Sequence, residues 1–157
     1  ASFHASVPLP ATIITMALLL KSGAAPSHQW VPAVVEGLHW SLVALLMTVQ
    51  KLNPLFLIFF LLKTDLVYKI MFLYVTFSAL VGAVGGLSHT SLRKITAYSA
   101  IAHMSWVLAT LMCDSWLWLA YFLLYSLVLI SLLSLLSYSE SSTLTHLVTT
   151  NKSYLSF

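Results

Sequence analysis

A single lysine, Lys51, lies in the middle of a long apolar stretch. The stretch runs from Leu38 to Leu62, and Lys51 is its only charged residue. In a helix its ammonium would lie roughly 16–20 Å from either end, beyond the reach of a snorkelling side chain. Inserting a lysine at that depth costs at least about 2.5–3.5 kcal/mol, and such residues usually face a bundle interior or a water-filled cavity. Lys51 is therefore a candidate proton carrier, and the alternative is a packing contact held by backbone carbonyls.

A second lysine, Lys21, ends another apolar run. It follows Ile13–Leu20 and precedes the Gly- and Pro-containing segment 22–26, which predicts an interruption of the helix near membrane depth. Broken helices expose backbone groups and mark ion sites in transporters. The alternative is a lysine that snorkels from a helix end.

A polar stripe follows the fourth apolar run at steps of three and four residues. Its members are Thr96, Ser99, His103, Trp106 and Thr110. This spacing places them on one helical face, where hydroxyl and imidazole groups can hold a file of water. His103 titrates near neutral pH and can pass protons between its two nitrogens. We assign Thr48, Thr96 and Ser99 to a polar path with His103, and the alternative is an interhelical hydrogen-bond seam.

The composition excludes most other classes of protein. Of 157 residues, 60% are hydrophobic and 7% are charged, whereas a soluble domain carries about 25% charged residues. A soluble enzyme, a nucleic-acid binder and a disordered chain are therefore excluded. The one cysteine, Cys113, excludes a disulfide scaffold and a cysteine-based zinc or iron–sulfur site. The remaining class is a membrane protein with several spans.

The acidic residues do not pair with the membrane lysines. Glu36, Asp65, Asp114 and Glu140 all lie between or after the apolar runs. The histidines are not at metal-ligand spacing, and the chain has neither a phosphate-binding glycine loop nor a nucleophile–base pair. We predict no metal and no cofactor in this chain.

Five apolar runs are long enough to be candidate membrane spans. They are Val7 to about Ala25, Leu38 to Leu62, Ile70 to Leu87, Ile95 to Cys113 and Ser115 to about Ser139. Helices are expected because lipid forces each backbone to satisfy its own hydrogen bonds. The predicted fold is all-α: a transmembrane helix bundle of about five spans over residues 1–139, one of them interrupted near Lys21. Residues 140–157 form a polar tail.

Three local features bear on how the helices pack. Pro54 removes a backbone donor and predicts a polar, hydrated kink near Lys51. Gly82 and Gly86 form a small-xxx-small pair that lets helices approach closely. The aromatic residues that begin the fifth run are Trp116, Trp118, Tyr121 and Tyr125. The first of them fit an interfacial belt, and we assign none of them any chemistry.

Three motifs together resemble one known family. The signature Lys21, Gly23, Pro26, His28, Trp30 and Pro32 resembles the K-x-G-x-x-P-F-H-x-W-x-P-[DE] motif of the antiporter-like membrane subunits of respiratory complex I. Lys51 stands where that family has a second lysine, one helix later. The segment 85–104 resembles the G-G-L…L-R-K-I-x-A-Y-S-S-I-x-H-M block of the family's subunit 2 branch. The motifs occur in the family's order and spacing over about residues 10–112.

The resemblance implies a proton-translocating subunit of NADH:ubiquinone oxidoreductase in the mitochondrial inner membrane. In the family, the first lysine lies beside a discontinuous helix, the second relays protons centrally, and a histidine bridges onward. Those roles would fall to Lys21, Lys51 and His103. The flavin, iron–sulfur clusters and quinone would belong to other subunits. The implied partners are the other membrane-arm subunits and membrane lipids, with no nucleic acid.

The sequence departs from the family pattern in several places. The signature Phe is Ser27, and its acid is Ala33, with Glu36 one turn further on. The family's earlier glutamate helix and its later broken helix with a third lysine have no counterpart here. We therefore expect a partial or split form of the subunit, completed by a second polypeptide.

Two rival functions stay open on the sequence alone. The same lysines could serve a subunit of a multi-subunit cation/proton antiporter that has no NADH-linked partner. Alternatively, the chain could be a degenerate piece that only seals the membrane arm, as the missing acid and third lysine favour. The two retained lysines and the polar stripe argue against this last hypothesis.

Overall fold

A computed structural model describes residues 8–113, 116–139 and 148. Within these residues the chain forms seven helices. They are α1 Pro8–Ser22, α2 Trp30–Gly37, α3 Trp40–Met47, α4 Val49–Leu61, α5 Asp65–Leu87, α6 Leu92–Leu111 and α7 Leu117–Ser139. The prediction of an all-α helix bundle is confirmed. Asp114, Glu140 and, apart from Val148, the predicted tail 140–157 lie outside the described residues.

Three helical stretches in the described part of the chain are long and apolar enough to cross a membrane. They are Trp40–Leu61, which contains α3 and α4, then Asp65–Leu87 and Leu117–Ser139. The other two predicted spans correspond to α1, a shorter apolar helix, and to α6, whose 20 residues include Arg93, Lys94 and the polar stripe. The helix that contains the uncharged run from Ile70 begins earlier, at Asp65. Lys69 therefore lies inside α5, in its second turn.

The first span is interrupted just after Lys21, as predicted. Helix α1 ends at Ser22, and Gly23 follows at φ +76°, a left-handed conformation that is strained for residues with a Cβ. The Ala24 N–H then returns 3.3 Å to the Leu19 carbonyl oxygen, closing the helix end. The chain resumes a helix only at Trp30, so α1 and α2 form a discontinuous pair.

The second span is also interrupted, at Thr48 rather than at Pro54. Thr48 has φ −110° and ψ −79°, and the Lys51 N–H bonds the Thr48 carbonyl oxygen, three residues back, at 3.2 Å. Pro54 lies buried within α4. The interruption lies about two turns before Pro54, which places irregular backbone immediately before Lys51.

Helices α5 and α6 form the closest helix pair. A Cβ added to Gly82 would lie 2.6 Å from the Ala102 backbone nitrogen, so only hydrogen fits between the two backbones. A Cβ on Gly85 would enter the Tyr98 ring, whereas the Cβ of Gly86 would sit 3.8 Å from the nearest atom. The predicted close approach is found, but Gly82 and Gly85 make it, not Gly86.

Two basic residues at the start of α6 bind the helices and the connection beside it. The Lys94 ammonium lies 3.5 Å from a Glu36 carboxylate oxygen, which joins α2 to α6. The Arg93 guanidinium donates to the Val35 and Leu38 carbonyl oxygens and lies 4.4 Å from the Trp40 ring centroid. These contacts hold the start of α6 against the connection between α2 and α3.

Candidate functional site

The Lys51 side chain is enclosed by the bundle. Only 5% of Lys51 is exposed, and its neighbours on the same face of α4, Leu55 and Ile58, are fully buried. Its Nζ has no hydrogen-bond partner among the residues that the structure describes. An ammonium carries three donors, so a buried one requires hydrogen-bond acceptors beyond those that the described residues provide. The structure thus places Lys51 where the sequence predicted a buried, exchangeable charge.

His103 lies within electrostatic range of Lys51. The charge of Lys51 acts on the half-buried His103 ring across the interface between α4 and α6. On its other side, His103 Nδ1 lies 2.7 Å from the Tyr121 hydroxyl oxygen of α7. The Tyr125 ring packs against the imidazole with its centroid 4.5 Å away. His103, Tyr121 and Tyr125 therefore form one polar cluster between α6 and α7, and the charge of Lys51 acts on it from α4.

Sequence reasoning missed the two tyrosines of this cluster. Tyr125 is 7% exposed and its hydroxyl has no partner in the described part of the chain, whereas Trp118, predicted for the interfacial belt, is fully buried. Trp116 is exposed and fits the belt. The four-residue spacing of Tyr121 and Tyr125 among leucines places both hydroxyls on one face of α7. That spacing was the signal available in the sequence.

A groove of about 300 Å³ opens beside the cluster, between α6 and α7. Its polar lining comes from Ser99, His103, Tyr121 and Tyr125, and leucine and valine side chains of α7 line the rest. The polar stripe leaves this groove beyond His103, because Trp106 is 64% exposed. Ser99 and His103 are therefore the members of the stripe that can act together here.

The hydroxyls assigned to the polar path already donate to their own helices. Thr48 and Thr96 are buried and bond the carbonyl oxygens of Ala44 and Arg93 at 2.6 and 2.8 Å. The Ser99 hydroxyl bonds the Thr96 carbonyl oxygen at 2.8 Å. Each oxygen keeps lone pairs that can accept a hydrogen bond from water. These groups can therefore line a hydrated path but do not form a direct chain of donors to His103.

Lys21 occupies a different environment from Lys51. It lies in the last turn of α1 and is exposed on the surface of this chain. Its neighbours on α1 include the exposed apolar residues Ile13, Met16 and Leu20. Within the described ranges it forms no ion pair. The negative end of the α1 dipole favours a cation at this position.

The signature residues build the break beside Lys21. The Trp30 indole N–H reaches back 2.9 Å to the Leu20 carbonyl oxygen, which also accepts the Gly23 backbone N–H at 3.2 Å. Pro32 is buried in the first turn of α2, where a proline is tolerated. Pro26 and His28 lie in the connection, and His28 Nδ1 is buried without a partner in the described chain. The motif thus fixes the geometry of the α1 end that carries Lys21.

We expect Gly23→Ala to destabilise this break. A Cβ at φ +76° is strained, and it would lie 2.5 Å from Val31 Cγ2. The expected loss of unfolding free energy is about 1–3 kcal/mol, visible as a lower melting temperature of the purified protein. Gly37→Ala is the matched control, since nothing lies within 4 Å of a Cβ at Gly37. Equal melting temperatures for the two variants would contradict the role of Gly23.

The side chains of the candidate site are groups that can exchange protons. Within the described residues, no group of three or more His, Cys, Asp or Glu side chains could hold a metal ion. The groups that the structure brings together are an amine, an imidazole and two phenols. All of them can gain or lose protons and accept hydrogen bonds from water.

Comparisons with known proteins agree with the motifs. Residues 6–154 match the family described as NADH:quinone oxidoreductase/Mrp antiporter, TM. NADH-ubiquinone oxidoreductase chain 2 of Anopheles gambiae is 45% identical over 120 residues, which are 76% of this chain and 34% of that protein. The Aedes aegypti chain 2 is 49% identical over 115 residues, or 73% and 33%. The Equus asinus chain 2 is 37% identical over 136 residues, or 87% and 39%.

The chain spans about a third of the length of the curated relatives that it matches. The resemblance of its motifs to subunit 2 is confirmed, because these relatives are all chain 2 proteins. With the match covering residues 6–154, the chain belongs to the NADH:quinone oxidoreductase/Mrp antiporter family of membrane proteins.

Proposed function

We propose that this chain relays protons through the membrane arm of NADH:ubiquinone oxidoreductase. The observation that carries the proposal is the buried Lys51 ammonium, which has no protein partner in the described chain and acts on the ring of His103. A permanently charged lysine with no partner would be an expensive packing element. A lysine that exchanges protons with nearby water accounts for both its depth and its neighbours.

The relay works by charge coupling. Energy from quinone reduction in other subunits changes the charge around Lys21, and this change alters the proton affinity of Lys51. Two charges about 8 Å apart at an effective dielectric of about 20 interact by about 2 kcal/mol. That energy changes a proton affinity by a factor of about 30, which is enough to load or unload a lysine near its switching point.

The redox chemistry of the reaction lies outside this chain. Flavin, iron–sulfur clusters and quinone are assigned to other subunits, and the chain contributes to the enzyme only by moving protons. The names of the animal relatives support this assignment over a free-standing cation/proton antiporter. The proposed location is the mitochondrial inner membrane, which the chain would cross several times.

Further membrane helices are proposed to cover the Lys21 face. Lys21 is exposed beside the apolar residues Ile13, Met16 and Leu20, a surface that would place a charge against lipid in the isolated chain. A second polypeptide of the membrane arm would enclose this charge and complete the proton path. Such enclosure would also bring Lys21 within the low-dielectric interior that charge coupling requires.

Purification through a tag on this chain tests the assembly. We expect flavin- and iron–sulfur-containing subunits to co-purify and the preparation to oxidise NADH with quinone as acceptor. Intact-complex mass spectrometry of the same sample would identify the polypeptide next to Lys21. Purification with membrane antiporter subunits alone, without flavin or iron–sulfur clusters, would instead support the antiporter function.

A further inference from the structure

We infer that Tyr121 is a positioning residue that holds His103 in one tautomer and leaves Nε2 as its only proton-exchanging nitrogen. The inference rests on the proposed relay through Lys51 and His103. The Tyr121 hydroxyl oxygen lies 2.7 Å from Nδ1, and within the described residues Nε2 has no hydrogen-bond partner. One nitrogen of the ring is therefore engaged by the protein, and the other is available.

The direction of this hydrogen bond decides what His103 can do. If the Tyr121 hydroxyl donated to Nδ1, the hydrogen of the neutral ring would sit on Nε2, which could then accept nothing. If Nδ1–H donates to the hydroxyl oxygen, the lone pair lies on Nε2. Only this second arrangement lets Nε2 accept the proton that the proposed relay delivers, so the relay requires Nδ1–H to donate to the Tyr121 hydroxyl oxygen.

The second arrangement supports a complete proton cycle. The Lys51 ammonium gives up one proton and becomes a neutral amine, and Nε2 gains that proton through water and becomes part of an imidazolium. Nε2 then releases the proton to the next acceptor, and the neutral ring is restored. The Nδ1–H···O bond to Tyr121 persists throughout, so the phenol stays neutral and the ring need not flip.

The packing around the ring supports a fixed orientation. The Tyr125 ring lies 4.5 Å from the imidazole at an interplanar angle of 31° and is itself buried. Tyr121 and Tyr125 are four residues apart on α7, so one helix supplies both the hydrogen bond and the contact with the ring face. Tyr138 lies more than four turns further along the same helix and is exposed, so its phenol serves as an internal comparison for that of Tyr121.

The test measures protons moved per NADH oxidised in proteoliposomes that contain the assembled complex. The number of protons per NADH that the parent complex moves and the Lys51→Met complex does not is this chain's share of translocation. We expect Tyr121→Phe to lower that share by about tenfold, the effect of losing one hydrogen bond to a charged ring. Tyr138→Phe, the same substitution at an exposed tyrosine of α7, should change it less than twofold. Tyr121→Gln, which retains an oxygen acceptor, should recover most of the loss.

A double-mutant cycle with His103→Gln separates positioning from a merely structural role. If Tyr121 acts only through His103, Tyr121→Phe has no further effect once His103 is replaced. The role of Tyr121 is overturned if Tyr121→Phe lowers proton translocation equally in the parent and in the His103→Gln variant. It is also overturned if Tyr121→Phe lowers translocation in neither. The relay through Lys51 stands in both cases. If His103→Gln and Lys51→Met both leave translocation at the parent level, the proposed relay itself fails. Values are normalised to assembled complex, so a variant that assembles poorly is still scored.

Discussion

Lys51→Met is expected to abolish this chain's contribution to proton translocation, while the complex still assembles and oxidises NADH. Methionine fills a similar volume with an unbranched apolar chain. It leaves no ammonium to be loaded or unloaded beside His103. Lys51 Nζ makes no hydrogen bond within the described chain. Its removal therefore breaks no hydrogen bond there, and assembly should persist.

Proton uptake and NADH oxidation should be recorded together in proteoliposomes. The matched control is Lys69→Met, the same substitution at an exposed lysine of α5. We expect the Lys69 variant to move as many protons per NADH oxidised as the parent does, and the Lys51 variant to move fewer at an unchanged rate of NADH oxidation. Normal translocation with Lys51→Met would contradict the relay.

Gly82→Leu is expected to separate α5 from α6 and to prevent a stable bundle. The backbones meet at this glycine, where even a Cβ would lie 2.6 Å from the Ala102 nitrogen. Backbone cannot move aside as a flexible side chain can, so the overpacking penalty should reach about 3 kcal/mol or more. The disturbance would pass to His103, one residue after Ala102 on α6.

The amount of assembled complex and its melting temperature measure this effect. Gly37→Leu makes the same substitution where nothing lies within 4 Å of a Cβ, and we expect it to assemble as the parent does. A Gly82→Leu complex with the parent's yield and melting temperature would show that the close approach of α5 and α6 is dispensable.

Much of the fold could be predicted from the sequence because the membrane leaves few options. Apolar runs of about 20 residues must be helices, and Gly23 with Pro26 signals the end of α1. The burial of Lys51 also follows from its position in its run. These features depend on local sequence and on the solvent, so no knowledge of neighbouring helices is needed.

The features that the sequence did not reveal depend on how helices face one another. The break at Thr48 was not predicted, and Trp118 is buried with the Phe56 ring centroid 5.0 Å away. The pairing of His103 with Tyr121 joins residues 18 apart on different helices. Apolar periodicity cannot predict such contacts, since every face of a membrane helix is apolar.

The exposure of Lys21 has a similar physical origin. Its depth in the membrane follows from its own helix, but its burial depends on which helices pack against α1. On this chain it lies at the surface. The sequence therefore predicts the position of Lys21 along the membrane normal but not which helices surround it.

A density map of the assembled complex, at a resolution that shows ordered water, tests the central claim most directly. The account predicts hydrogen-bonded water molecules linking Lys51 Nζ to His103 Nε2, with the groove between α6 and α7 hydrated at its polar end. Dry, apolar packing between the two side chains, with the Lys51 ammonium bonded only to backbone carbonyls, would contradict it and make the chain a structural element of the membrane arm.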